Sequence, residues 1–366
     1  MPQSLYLHVP FCPKICPYCD FHKMRRNETL VEAYIKQLEH EAKNLYQEFS
    51  ADLDTIYWGG GTPSHLSDRE ITQIIAAFAQ TWGWPARLET TLEADPLTFD
   101  KARLQTFREM GFSRLSLGLQ STQDEVLSFL GRRHNGKQAL EALELALDAG
   151  FEVSADLITG LSMQDTAQDL HALAQTGLAH ISVYTLTIEP YTPFALRDIR
   201  LDEDKEVADY ELSQTLLQDY GLDRYEVSSH AKPGHESKHN QVYWHGDYFL
   251  NLGPGAAGFV PKSGFLGERR TNPPIKDWLA GELGERIEVN AEDYVLDVLM
   301  TGLRTRAGVD TQKLAQKSGI QIFEKYHSLI SDLLHHELIE VKADILKLSS
   351  TGQLQLNGIV RKFFNA

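Results

Sequence analysis

Apolar positions recur with two different periods along this chain, and the change between them marks out its elements. Short runs read as strands at 5–9, 55–58, 87–93, 114–119, 151–158 and 180–186. Between them lie stretches with apolar residues three and four apart, the spacing of one helix face. The clearest runs over 29–49, through Leu30, Tyr34, Leu38, Ala42 and Leu45. Others fall at 99–110, 123–130, 137–149, 164–175 and 203–220. Ser67 with Glu70 three residues on predicts a capped helix start. Six strand–helix repeats before residue 220 predict an α/β fold, a partial (β/α)6 TIM-like barrel, since such repeats build parallel sheets with helices outside.

The pattern changes near residue 222, where 224–228 and 248–252 read as extended pieces around a His- and Gly-rich stretch and 264–267 as loop. From about residue 290 helices are predicted at 292–303, 311–318 and 322–336. Short strands follow at 339–341, 345–348 and 353–356, then a last helical turn at 359–364. The expected organisation is a barrel over 1–220, a barrel extension over 221–289 and a small helical, winged-helix-like domain over 290–366.

Composition narrows the class. No segment approaches eighteen uncharged apolar residues, so no transmembrane segment is predicted. The N-terminus lacks the basic-then-apolar pattern of a secretory signal. A formal charge of −16 opposes a nucleic acid backbone. The winged-helix-like region offers only Lys313, Lys317 and Lys325 against Glu324 and Asp332. No nucleic acid partner is expected. The local exception is Lys14, Lys23, Arg25 and Arg26, which read either as a solvated loop surface or as an approach for an anionic partner.

The chain has three cysteines, all within one loop: Cys12, Cys16 and Cys19. Thiols gathered so closely suit a soft metal, a cluster or one another. A structural zinc ion wants a fourth ligand, for which His8 or His22 is near. A disulfide would leave one thiol over. A [4Fe–4S] cube held at three corners keeps one iron open to a small molecule. The compartment expected is the cytoplasm, where thiolates persist.

Other polar residues fall at predicted strand ends, which share one rim in a barrel. Gly59-Gly60-Gly61-Thr62-Pro63 follows a strand but lacks the spacing of a dinucleotide or phosphate loop. Its glycines permit close backbone approach to a ligand. Glu93 offers acceptors, Gln120 a donor and an acceptor, and Arg132 a fork for a carboxylate. Asp156 suits ribose hydroxyls. Each also reads as an internally satisfied polar group. Between 225 and 245 the histidines crowd together, with no zinc-hydrolase pair on a clear helix. His239, Tyr243, Trp244 and Lys238 supply the residue types of a haem pocket. The alternative is a hydrogen-bonded loop packed on the barrel.

Together these motifs resemble the oxygen-independent coproporphyrinogen III oxidase family of radical S-adenosylmethionine (SAM) proteins. Within it, the chain looks most like the HemW-like haem chaperone branch. The resemblance runs through Tyr6-Leu-His8-Val-Pro-Phe-Cys12, Cys16-Pro-Tyr18-Cys19-Asp-Phe21, Gly59-Gly-Gly-Thr-Pro-Ser64 and Glu93-Ala-Asp-Pro96. It continues in Leu117-Gly-Leu-Gln120-Ser, Leu130-Gly-Arg132, Asp156-Leu-Ile-Thr-Gly160, Thr187-Ile-Glu-Pro190, Tyr225-Glu-Val-Ser-Ser229 and His239-Asn-Gln-Val-Tyr-Trp244. It implies a radical SAM barrel with a [4Fe–4S] cluster on Cys12, Cys16 and Cys19. SAM would lie near Tyr6 and Tyr18, with its methionyl part against Gly60, Gly61 and Thr62. Glu93, Gln120, Arg132 and Asp156 would complete that pocket, with Thr187 and Ala257 less directly involved. Haem would sit at His239, Tyr243 and Trp244.

The implied function is a haem chaperone, with a haem-accepting respiratory protein and an electron donor as partners, and peripheral contact with membrane respiratory proteins. The alternative is the oxidase itself, which decarboxylates porphyrinogen propionates. The oxidase carries a fourth cysteine where this chain has Phe21, and a longer N-terminal arm than the five residues before Tyr6. Relatives often carry histidine where Ala257 stands; where that histidine serves haem, this chain relies on another ligand.

Overall fold

Each strand of the barrel has an apolar and a polar edge, and that alternation decides which way it faces. The computed structural model describes residues 1–85, 87, 89–197 and 199–366. Six parallel strands follow one another in space as in sequence: β1 (Ser4–Val9), β2 (Thr55–Gly60), β3 (Glu89–Ala94), β4 (Arg114–Gln120), β5 (Glu152–Thr159) and β6 (His180–Thr185). The strand predicted at 87–93 begins two residues later than expected, and position 88 lies outside the described residues.

Leu5, Leu7, Ile56, Trp58, Leu115, Leu117, Val153 and Ala155 point outward into one large core shared with the surrounding helices. Those helices contribute Tyr34, Leu38, Ile71, Phe78, Leu104, Phe107 and Leu143 to it. The alternate residues, among them Tyr6, His8, Tyr57, Glu93, Ser116 and Asp156, point into the barrel. The interior is therefore polar, because successive strand side chains take opposite faces.

Helices form where their ends are capped. Ser67 and Glu70 make the reciprocal capping box that the spacing predicts. Asn27, Asp100, Asn135 and Asp165 cap other helices by accepting from a backbone N–H in the first turn. Leu250–Leu252 adds parallel to β1, and Ser229–Ala231 adds antiparallel to β6. Among the described residues no pairing joins the two outer edges, so the barrel is open.

Three local expectations change. The His-rich stretch holds a helix, Lys238–Trp244, started by Ser237 accepting from Asn240 N. Period alone hides it because it is short and partly buried on more than one side. An antiparallel sheet of Ala257–Val260, Gly267–Thr271 and Glu285–Val289, which the pattern does not announce, flanks the loop expected at 264–267, where residues 264–266 form the turn and Gly267 opens a strand. The strand predicted at 353–356 is helical instead, in Ser350–Leu354 and Leu356–Phe364. Ser349 caps the first of these, and Ile359, Val360 and Phe363 supply a helical apolar stripe that outweighs the Leu354/Leu356 alternation.

The C-terminal region has its own core, built on Val295, Leu299, Leu333, Leu346 and Phe363, and Phe259 and Val289 reach into it. Leu250, Leu252, Val260 and Trp278 pack instead with the barrel core. Among the described residues no helix is long and apolar enough to cross a membrane.

Candidate cofactor site

β1 ends at Val9 and its chain runs straight into the cysteine loop. Phe11–Cys12 pairs with Met24–Arg25, and Met24 N donates to Pro10 O at 2.8 Å, so both ends of the loop are pinned. Phe11 is fully buried, edge-on to Tyr34, and anchors the first cysteine. Cys19 N donates to Cys16 O, turning the second half of the loop back on itself. Arg26 is held by Glu28 and Glu70, so of the flanking cations it is Lys14 and Lys23 that face the opening.

The loop covers a cavity of 380 Å3 at the C-terminal ends of the strands. All three cysteines line it, with Tyr18, Gly60, Gly61, Thr62, Glu93, Gln120, Arg132, Asp156 and Thr187. The barrel thus gathers residues spread from 12 to 187 around one volume, as shared strand ends predict. Tyr57, Asp95, Ser116, Arg133 and Tyr184 also line it, though none was singled out in sequence. For Tyr57, Ser116 and Tyr184 the inward alternation with Trp58, Leu115 and Val183 is the available signal; Asp95 and Arg133 lie in loops.

The glycines serve a packing role first. Gly60 has φ +111°, and a Cβ there would lie 2.6 Å from the His8 ring. A Cβ on Gly61 would lie 2.8 Å from Pro10 C and 3.0 Å from Cys12 Sγ. The run lets the chain pass directly beneath the cysteine loop. His8 is not free for a metal: its Nε2 meets His22 O at 2.7 Å and its Nδ1 meets Tyr6 OH at 3.0 Å.

Two carboxylates line the mouth, Glu93 on β3 and Asp156 on β5, with β4 between them. Glu93 accepts from Tyr57 OH and from Gly60 N, both at 2.9 Å. Burial, reinforced by the charge of Asp156, raises its pKa to about 7, against those two hydrogen bonds. Asp156 accepts from Ser116 Oγ at 2.9 Å, and burial raises it to about 6. Each carboxylate keeps acceptor capacity for a cationic or hydroxyl-bearing guest.

Arg132 is placed differently from the expectation. Its Nη2 donates to Asp95 Oδ2 at 3.0 Å and to Gly118 O at 2.6 Å, so the fork is already held by the protein. Its Nη1 is directed at Cys16 Sγ, 3.6 Å away, which sets a fixed cation beside a thiol. Gln120 has φ +72° next to a register shift between β4 and β5, a bulge that aims its amide into the cavity.

Tyr6 does not line the cavity. It faces inward two residues before His8, one layer deeper, stacked 6.1 Å from Tyr57. Ala257 is exposed and stands outside the cavity. His239, Tyr243 and Trp244 lie at the opposite end of the barrel. His239 is fully buried, with Nδ1 2.7 Å from Thr55 Oγ1 and Nε2 2.6 Å from Tyr243 OH. Trp244 borders a separate cavity of 480 Å3 with Arg224, Tyr225, His245 and Arg306. The structure therefore unites the cluster and SAM candidates but not the haem candidates with them.

The donor set fits an iron–sulfur cluster better than a single ion. Among the described residues no trio of His, Cys, Asp and Glu closes on one point as a metal cage. A structural zinc ion wants a fourth ligand, and His8, the nearby candidate, is engaged by Tyr6 and His22 O, whereas a cube takes the three thiols alone. Burial pushes the Cys12 thiol up to about 11, with Cys19 and Cys16 adding to it, so Cys12 keeps its proton until a cationic guest displaces it.

A model of the Radical SAM superfamily matches residues 6–175, and one of the HemN C-terminal domain matches residues 289–354. The chain is 33% identical to the heme chaperone HemW of Bacillus subtilis, over 99% of each chain. It is 31% identical to the Escherichia coli heme chaperone HemW, over 99% of this chain and 98% of that one. It is 35% identical to the mouse mitochondrial radical S-adenosyl methionine domain-containing protein 1, over 86% of this chain and 75% of that one. Among solved structures, coproporphyrinogen III oxidase (HemN) from Escherichia coli superposes with a TM-score of 0.84, over 99% of this chain and 90% of that one. At 21% identity that likeness speaks for the fold. A three-cysteine loop over a barrel mouth, and a similarity that runs the length of the chain, place this protein in the HemW family of radical SAM proteins.

Proposed function

We propose that this protein is a haem chaperone that holds a [4Fe–4S] cluster and SAM at the barrel mouth, binds haem, and delivers it to a haem protein of respiration. The reading is supported above all by similarity to proteins named heme chaperone HemW over nearly the full length of both chains. Cys12, Cys16 and Cys19 would hold the cluster, which supplies the electron for reductive cleavage of SAM. Gly60, Gly61 and Thr62 would border the methionyl part, with Glu93, Gln120 and Asp156 around the rest. Arg132 would keep a positive charge beside the Cys16 sulfur, 3.6 Å away. Phe21, exposed at the cavity edge, stands where the resemblance puts a cysteine in the oxidase. The cytoplasm is the compartment of this reading, and an electron donor and a haem acceptor are its partners.

The test is anaerobic reconstitution followed by two assays. Haem-loaded protein should pass haem to an apo haem protein, read by the acceptor's absorption spectrum. Coproporphyrinogen III with SAM and reductant should be left unchanged, while an authentic oxidase converts it under the same conditions. SAM-dependent CO2 release with no haem transfer would overturn the reading in favour of the oxidase.

A further inference from the structure

The two ends of the barrel are joined by a continuous inner column of rings. It begins at the floor with the helix Lys238–Trp244, whose N-terminus is clasped by a buried carboxylate. Glu89 Oε1 accepts from His239 N at 3.0 Å, and Glu89 is paired with buried Arg114 at 3.5 Å. The His239 ring enters the barrel and stacks on Tyr57 with centroids 5.2 Å apart and planes 28° apart. Tyr57 OH then donates to Glu93, which borders the SAM candidate cavity and takes Gly60 N on its other oxygen.

The hydrogen bonds fix the state of the histidine. Thr55 Oγ1 donates its one hydrogen to Ser4 Oγ at 2.9 Å, so toward His239 it accepts. Nδ1 therefore carries the ring proton, and Nε2 accepts from Tyr243 OH. Both nitrogens are committed. An iron atom could take Nε2 only after Tyr243 is displaced and the helix is withdrawn from Glu89.

We infer that His239 and Tyr57 are positioning residues for the SAM pocket: His239, in the floor, supports the ring of Tyr57, whose hydroxyl holds Glu93 and through it Gly60 at the mouth, and His239 is not a haem ligand. The inference rests on the proposed SAM site and assigns the His239–Tyr243 pair to it. Changes at the floor helix are then felt at the mouth, about one barrel length away, without any shared ligand.

The experiment uses the full chain with its cluster reconstituted, and SAM affinity is read by equilibrium dialysis. His239→Ala and Tyr57→Phe should each weaken SAM binding about 10-fold, since each removes support for a hydrogen-bonded charged group. The double variant should be no weaker than about 10-fold, because both changes cut one chain of contacts. Leu104→Ala, a fully buried core change on an outer helix, should destabilise the protein and leave SAM affinity unaltered. Haem-loaded His239→Ala should keep the wild-type absorption spectrum.

Unchanged SAM affinity in both single variants overturns the inference, as does loss of the haem spectrum in His239→Ala alone. Should His239→Ala not fold, Tyr57→Phe, which keeps the ring and deletes only the hydroxyl, carries the affinity test. A wild-type protein that binds no SAM would count against the proposed function. The column would still be read by 15N NMR of labelled histidine, where His239 should show the Nδ1–H tautomer and not titrate between about pH 5.5 and 8. A titration near the ordinary histidine range would overturn it.

Discussion

The mouth and the floor of this barrel are both polar, yet their polar groups are in different states. At the floor the protein supplies its own partners. Glu89 meets Arg114 and the start of the 238–244 helix, while Arg114 also reaches His235 O at 2.9 Å. His180 is held by Ser154 at 2.7 Å and by Tyr225 at 2.8 Å. At the mouth, Glu93 and Asp156 carry raised pKa values with only partial hydrogen bonding, three thiols stand together, and Arg132 Nε has no partner among the described residues. A polar interior thus closes one end of the fold and leaves the other chemically unfinished. Buried polar groups with spare hydrogen-bond capacity mark the mouth as the end that suits a polar guest.

The sharpest break is at the mouth. Cys16→Ala should abolish the complete cluster, because two thiolates cannot anchor a cube at three corners. Iron and sulfide analysis after anaerobic reconstitution should fall from about four of each per chain to near zero, with the far-UV circular dichroism retained. Full iron and sulfide in that variant would remove the three-cysteine site.

The next largest effect belongs to the floor. Glu89→Ala leaves Arg114 buried with its partner gone and unclasps the helix start. Breaking a buried pair in this way costs about 3–5 kcal/mol. Urea unfolding should show the midpoint shift with iron content unaltered. A loss below about 1 kcal/mol would mean the floor is solvated like a surface pair.

The two ends also differ in pH response. Glu93 binds its proton more tightly in the folded chain, so it favours folding below the ordinary carboxylate range. That contribution is lost as pH rises from the ordinary range through about 7. Glu93→Gln should therefore be more stable than the native protein at pH 8, by up to about 3 kcal/mol, and the difference should shrink toward pH 4. Parallel stability curves for the two proteins would show that cavity water solvates the carboxylate fully.

The smallest effect is expected at the rim. Phe21 is 61% exposed, and Phe21→Cys should change stability by no more than about 0.5 kcal/mol. It should add neither iron nor coproporphyrinogen conversion. Gain of conversion would show that a single rim residue separates chaperone from oxidase.

Much of this architecture is legible before any coordinates. The strand–helix alternation announces a parallel barrel, and Ser67 with Glu70 announces a capped helix, because periodicity and capping act over a few residues. The three thiols are legible for the same reason: they come from one short loop, and the cluster proposed for them draws on no distant residue. The segments misread are those whose partners are distant. Residues 353–356 alternate like a strand until the contacts around 359–363 make them helical. Arg132 reads as a ligand fork until Asp95, brought beside it by the barrel, holds it.

By itself, then, the sequence determined the barrel class, the cluster loop, and which residues ring one strand-end rim. These follow from local period and spacing. Only the tertiary structure decided what those residues are free to do. It paired Arg132 with Asp95, sank Tyr6 beneath the cavity, and seated His239 in the barrel floor with both ring nitrogens hydrogen-bonded. The physical reason is that hydrogen-bond capacity is finite. A donor or acceptor that the fold has already engaged is no longer available to a guest, and part of that engagement comes from far along the chain, 37 residues away for Arg132 and Asp95 and 184 for His239 and Thr55.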